Sequence, residues 1–151
     1  MACSISSIAD ARIHWAGIPG YLYLGAKRIS AADGFVSGGL EGSARIKLER
    51  GHLNRYFPVG AFGTDSRDRH EITRVAIARV STMHGRDIEP GEVIVVGDTP
   101  LDVDAAKAVG AISLGVASGR YSVDELRRAG ADFVLGSLDE PFPLATDHAE
   151  T

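Results

Sequence analysis

Cysteine occurs once in the 151 residues, at Cys3, which excludes both an internal disulfide and a cysteine-built zinc site. That usage fits a reducing, cytoplasmic setting. Histidine is scattered: His14, His52, His70, His84 and His148 form no pair at ligand spacing, so a histidine metal site is not expected. No Gly-x-Gly-x-x-Gly and no Gly-x-x-x-x-Gly-Lys-Ser/Thr pattern is present, which speaks against dinucleotide and P-loop nucleotide binding. There is no excess of positive charge. The 16 basic and 20 acidic side chains leave a net charge of −4, the wrong sign for nonspecific nucleic-acid binding. Long apolar runs are also missing. The best candidate, Trp15 to Ala26, is short and broken by Gly17, Pro19 and Gly20, so neither a membrane span nor a secretory leader is expected. The single Trp15 reads as a packing residue.

What the chain does have is concentrated at Val93-Ile94-Val95-Val96-Gly97-Asp98-Thr99-Pro100-Leu101-Asp102. Four apolar β-branched residues in a row predict a strand buried on both faces, the habit of a parallel sheet. Gly97 permits a tight turn, Thr99 is a good helix N-cap, and Pro100 suits the first helical position. Asp98 then lies at the carboxyl end of a parallel strand, where open α/β sheets hold their ligands. Asp98 and Asp102 together offer hard oxygens suited to a Mg²⁺ that also holds a phosphate. A plainer role is open to both: Asp102 completes a capping box and Asp98 shapes a turn.

The rest of the chain alternates strand and helix from Gly34 onward. A strand over Gly34 to Ser37 precedes a helix near Ser43 to Arg50, stopped by Gly51. A short strand follows at Val59 to Phe62, then the polar loop Gly63 to Arg69. The next helix places Ile72, Val75, Ala76, Val80 and Met83 on one face, with Arg79 at the solvent margin and Gly85 at its end. After the Val93 strand come a helix over Pro100 to Val109 closed by Gly110, and a strand at Ala111 to Val116. A capping box at Ser122-Val123-Asp124-Glu125 opens a helix that Gly130 ends, and Phe133 to Leu135 forms a last strand. Strands separated by helices imply right-handed crossovers and a doubly wound parallel sheet. Residues 1–33 follow no such rhythm, although Tyr21-Leu22-Tyr23-Leu24 has the makings of a strand and Pro19-Gly20 of a turn. The expected division is a divergent segment 1–33, a core 34–142 and a tail 143–151.

Gly97-Asp98-Thr99-Pro100-Leu101-Asp102-Val103 resembles the fourth motif of the haloacid dehalogenase-like (HAD) hydrolases. The stretch Gly115-Val116-Ala117-Ser118-Gly119-Arg120-Tyr121-Ser122, followed by Ala129-Gly130-Ala131-Asp132, is similar to the phosphoglycolate-phosphatase-like branch. Upstream, Gly34-Phe35-Val36-Ser37-Gly38-Gly39-Leu40-Glu41 resembles that branch's second motif, and Ala44 to Glu49 and Arg55-Tyr56-Phe57 fit it too. The resemblance runs from about Gly34 to Pro141. It implies a HAD-like Rossmannoid α/β fold with a doubly wound parallel sheet, and phosphoryl transfer through an aspartyl-phosphate with a second acid on the leaving group. Residue by residue, it implies Ser37 as the catalytic hydroxyl with the Gly38 amide beside it on the phosphate. Arg69 is implied as the cation for the phosphoryl oxygens. Asp98 becomes the Mg²⁺ ligand, and Asp102 a partner that supports the ligands from behind or acts through water.

One motif is absent. No apolar strand ends in Asp-x-Asp: Asp102-Val103-Asp104 belongs to the fourth motif, and neither Asp10 nor Asp33 follows a convincing buried strand. The inserted cap domain is missing as well, and Gly39 stands where an Asn is usual. The expectation is therefore an incomplete HAD-like fold, lacking first strand and cap, with weak or vestigial Mg²⁺ binding. A small phosphorylated metabolite is the expected partner, with neither nucleic acid nor membrane. Two classes follow: a Mg²⁺-dependent phosphomonoesterase, truncated or degenerate and inactive alone, or a non-catalytic phosphate- or Mg²⁺-binding or protein-interaction module. A receiver-type phosphoacceptor ranks third. Because the family's first strand is central, its loss would leave a gap of unpaired backbone groups. Tyr21 to Leu24 would fill it, its neighbours would pair directly, or a partner chain would supply a strand; a homodimer is the favoured outcome.

Overall fold

The computed structural model describes residues 21–24, 32–50, 52, 54, 57–137 and 140. Strands β1 (Tyr21–Leu24), β2 (Ala32–Val36), β3 (Val59–Ala61), β4 (Val93–Gly97), β5 (Ile112–Val116) and β6 (Phe133–Leu135) form one sheet in the order β3-β2-β1-β4-β5-β6. Helices α1 (Glu41–Arg50), α2 (Arg69–His84), α3 (Pro100–Val109) and α4 (Val123–Arg128) connect them, with a short 3₁₀ turn at Pro90–Glu92. Among the described residues no helix is long and apolar enough to cross a membrane.

The α/β reading holds, with one difference at the centre. β2 pairs with β3, β4 with β5, and β5 with β6, all in parallel. The central slot is not vacant: β1 fills it, antiparallel to both β2 and β4. The cause lies in the connection. Only residues 25–31 separate β1 from β2, a hairpin-sized link, whereas a parallel return needs a crossover of roughly a dozen residues or more. Residues 1–33 thus contribute β1 and the first two positions of β2.

Every position of β4 is buried, as its unbroken apolar run predicts. Val93 and Val95 join Val36 and Ala61 on one face, where Ile72, Ala76 and Val80 of α2 and Ala106 of α3 complete a core cluster. Phe35 is adjacent to Val36 in the strand and therefore points to the opposite face. There its ring lies 5.8 Å from Phe57 and 6.2 Å from Phe62, and Arg45 of α1 lies over the Phe62 ring at 5.8 Å.

Helix ends follow their local signals. Asp68 caps α2 by accepting from the His70 amide, and Gly85 ends it in the left-handed region at φ 66°. Thr99 and Ser122 open α3 and α4 with the expected capping boxes, and Gly110 closes α3 at φ 79°. On α2, Ile72, Ala76 and Val80 are buried as the stripe requires, together with Thr73, whose hydroxyl donates to the Arg69 carbonyl at 2.8 Å. Met83 lies outside that core, at 42% exposure.

Candidate active site at the carboxyl edge of the sheet

The parallel strands β2, β3, β4 and β5 all end on one edge, and the loops and first helical turns after them carry the candidate residues. Ser37 follows β2 directly and is 5% exposed. Its amide donates to the Ala61 carbonyl at 3.1 Å, continuing the sheet by one rung. Its Oγ accepts from the Gly39 amide at 3.1 Å, the turn role open to a serine here. No described residue takes the hydroxyl proton, which leaves Ser37 a donor for a ligand. The loop is braced from β3: Gly63 donates its amide to the Gly39 carbonyl at 2.9 Å. A methyl group on Gly63 would lie 2.2 Å from the Gly38 carbonyl oxygen, so any side chain there forces the loop to shift.

Arg69, the first residue of α2, crosses towards α3. Its Nη1 donates to Asp102 Oδ1 at 3.0 Å. Its Nη2 faces the second-motif loop, 4.0 Å from where a Cβ on Gly38 would stand. His70 adds a second rung between the same helices, with Nε2 2.7 Å from Asp104 Oδ2. These contacts bring Ser37, Gly38, Arg69 and Asp102 to one place.

Asp102 is 3% exposed and fully engaged. Beyond Arg69 on Oδ1, its Oδ2 accepts from the Thr99 amide at 3.1 Å and the Thr99 hydroxyl at 2.9 Å. The helix-capping role and the site role are therefore carried by one carboxylate. Burial pushes its pKa up, and the Arg69 charge and the Thr99 hydrogen bonds oppose that shift. The turn before it is tight: a Cβ on Gly97 would lie 2.3 Å from both Asp102 Cβ and Cγ.

Asp98 has a different environment. It follows β4, and no described residue donates a hydrogen bond to its carboxylate. The loop after β5 comes down on it, since a Cβ on Gly119 would meet Asp98 Oδ2 at 2.4 Å. Among the described residues, no group of three or more acids, histidines or cysteines is gathered as a metal would require of an all-protein site. One free carboxylate beside one committed carboxylate fits Mg²⁺ that keeps most of its waters and shares a phosphate, the usual habit of that ion.

Asp33 is excluded from this edge. It lies within β2 opposite Tyr23, four residues before Ser37 on an extended chain and so about 13 Å from it. Asp10 lies outside the described residues. At the slot between β2 and β4, Tyr21 stands opposite Phe35 and Val96, so the first residue of β1 is nearest the site and Leu24 is at the far edge. The close-approach roles of Gly63 and Gly119 escaped sequence reasoning, which reads Gly63 only as the start of a polar loop and Gly119 only as part of the resemblance; both are required by close approach rather than by φ.

Residues 69–141 match the family model described as HAD-hydrolase-like. No curated protein matches the chain. Among solved structures, a predicted phosphatase from Clostridium acetobutylicum is 27% identical with a TM-score of 0.57, over 70% of this chain and 49% of that one. A haloacid dehalogenase-like hydrolase from Bacteroides fragilis is 24% identical with a TM-score of 0.61, over 70% and 49% of the two chains. A haloacid dehalogenase-like protein from Agrobacterium tumefaciens is 22% identical with a TM-score of 0.61, over 74% and 52%. The chain thus spans about half the length of the structures it matches. The last two, below 25% identity, speak for the fold alone.

Proposed function

Since residues 69–141 are HAD-like in sequence and the described sheet is HAD-like in fold, we propose that this chain is a phosphate-ester-binding module on the frame of a Mg²⁺-dependent phosphomonoesterase, and that it does not hydrolyse esters by itself. The direction of β1 carries this reading. A strand parallel to β2 and β4 would bring the residue after its last apolar position to the site, where an in-line carboxylate is needed. β1 runs the other way, and Asp33 stands at the wrong end of its neighbour.

The phosphoryl group would be held by the Ser37 hydroxyl, the Gly38 amide and Arg69 Nη2, all donors facing one loop. Asp98 would hold a mostly hydrated Mg²⁺, and Asp102 would keep Arg69 in place from behind. The ion, when bound, supplies positive charge against the phosphate and against Asp98. Such positioning and charge compensation are much of phosphoryl-transfer catalysis, yet covalent transfer still needs its nucleophile. The ligand class is a small phosphorylated metabolite, by similarity to the phosphatase branch. A reducing, cytoplasmic setting is the reading that the lone Cys3 supports.

The test is a phosphomonoester panel with and without Mg²⁺, beside an NMR titration with inorganic phosphate. Shifts at Ser37, Gly38 and Arg69 without Mg²⁺-dependent turnover are expected. Hydrolysis that requires Mg²⁺ and disappears in Asp98→Asn would overturn the proposal and make Asp10→Asn the next variant to measure.

A further inference from the structure

We propose that Arg79 and Asp65 guard the outer edge of the sheet against pairing with a second copy of this chain. Among the described residues β3 is the terminal strand, bonded to β2 on one side only. The Ala61 carbonyl accepts from the Ser37 amide, so Ala61 faces β2. Backbone groups alternate sides along a strand, and Gly60 and Phe62 therefore present theirs outward.

Of the four outward groups, three are satisfied by this chain itself. Arg79 Nη1 donates to the Gly60 carbonyl at 2.7 Å, the Phe62 amide donates to Asp65 Oδ2 at 2.8 Å, and the Phe62 carbonyl accepts from the Asp65 amide at 2.9 Å. The two side chains lock each other in a bidentate pair, with Arg79 Nη1 2.9 Å from Asp65 Oδ2 and Nη2 2.7 Å from Oδ1. Together they occupy the positions that a neighbouring strand's backbone would take. Among the described residues, the Gly60 amide alone of these four has no partner.

An open strand edge is a template for another chain. Here it would be a sticky one, because an apolar groove of about 480 Å³ between Val59, Val75, Ala78, Thr82 and Met83 runs beside it. Arg79, although 44% exposed on the solvent margin of α2, is thus no idle surface charge. The central vacancy that motivates a homodimer is filled by β1, and the remaining edge on this side is closed by the Arg79–Asp65 pair.

The experiment compares wild type with the double variant Arg79→Met and Asp65→Ala, in which methionine keeps the apolar stem and alanine removes the acceptor. Light scattering across a concentration series should show the variant acquiring a dimer or larger mass at concentrations where wild type does not change. Amide hydrogen exchange supplies a local readout: the Gly60 amide should gain protection with concentration in the variant and stay indifferent to it in wild type. A natively folded double variant with wild-type mass would overturn the proposal, as would concentration-dependent protection of Gly60 in wild type. Should the double variant fail to fold, Asp65→Ala alone opens the Phe62 amide and leaves Arg79 without its carboxylate, and must give a smaller shift in the same direction; no shift overturns the guard.

Discussion

On one side of the sheet, β4, β5 and β6 run parallel, each helix between them opens on a side-chain cap, and the loops deliver Asp98 and Asp102. On the other side, β2 and β3 run the same way and deliver Ser37 and the loop braced by Gly63, but they reach β4 only through a strand running against both. The carboxyl-side half obeys the rules of a doubly wound fold throughout. The amino-side half keeps the edge, the Ser37 loop and the hydrogen bonding of the sheet, and gives up the direction of one strand. A sheet tolerates that exchange because a central slot asks for paired backbone groups, which a strand of either direction supplies. Direction also decides which end of the strand lies at the edge where the candidate residues gather.

Glycine substitutions at the two junctions break this comparison most sharply. Gly97→Ala drives a Cβ to 2.3 Å from the buried Asp102 stem, where neither the strand nor α3 can move freely. A destabilisation of about 3 kcal/mol is expected, the upper part of the overpacking range, measured by denaturant unfolding. Gly63→Ala meets the Gly38 carbonyl in an exposed loop that can shift, so about 1–2 kcal/mol is expected. Its larger consequence should be weaker phosphate binding, read by titration, because the loop that shifts carries Ser37. If Gly63→Ala proved costlier than Gly97→Ala, the carboxyl-side half would not be the rigid partner.

The difference between the halves also governs what sequence could reveal. β4 announces itself by four buried β-branched residues, and the ends of α2, α3 and α4 by Asp68, Thr99, Ser122 and left-handed glycines, all local signals acting within one turn. The Arg69–Asp102 bond joins residues 33 apart and leaves no local trace. Arg79 looks like a solvent charge for the same reason: its partners Gly60 and Asp65 lie on another element. The direction of β1 was legible in principle. A run of Tyr-Leu-Tyr-Leu has no polarity of its own, but the brevity of residues 25–31 admits a hairpin and little else.

Thr99→Ala sharpens the account of the carboxyl-side half. It removes the N-cap of α3 and the hydroxyl that donates to Asp102. Loss of the cap should cost about 1 kcal/mol. The Thr99 amide still reaches Asp102, so Arg69 should stay in place and phosphate titration should change little. Asp102→Asn serves as the contrast: it withdraws the charge that holds Arg69, and phosphate-induced shifts at Ser37 and Gly38 should shrink.

The smallest effect separates the halves by sign. Asp65, on the amino side, has its pKa lowered by the Arg79 hydrogen bond and the Phe62 amide. Its pair therefore stabilises the fold above the unfolded-state pKa, and that contribution is lost as pH falls through the lower folded-state value. Asp102, on the carboxyl side, has its pKa raised chiefly by burial. Between the unfolded value and the higher folded one the native state holds the extra proton, so this group's contribution declines as pH rises through that window. Denaturant unfolding from about pH 3 to about pH 7 on wild type, Asp65→Asn and Asp102→Asn should give difference curves of opposite slope. Dilute protein keeps self-association of the Asp65 variant out of the measurement. The Asp65 curve should stay below about 1 kcal/mol, because its partner is largely exposed and solvent screens the pair. Slopes of the same sign would mean that Arg69 outweighs burial at Asp102, and that the site carboxylate is held ionised by its cation in the folded chain.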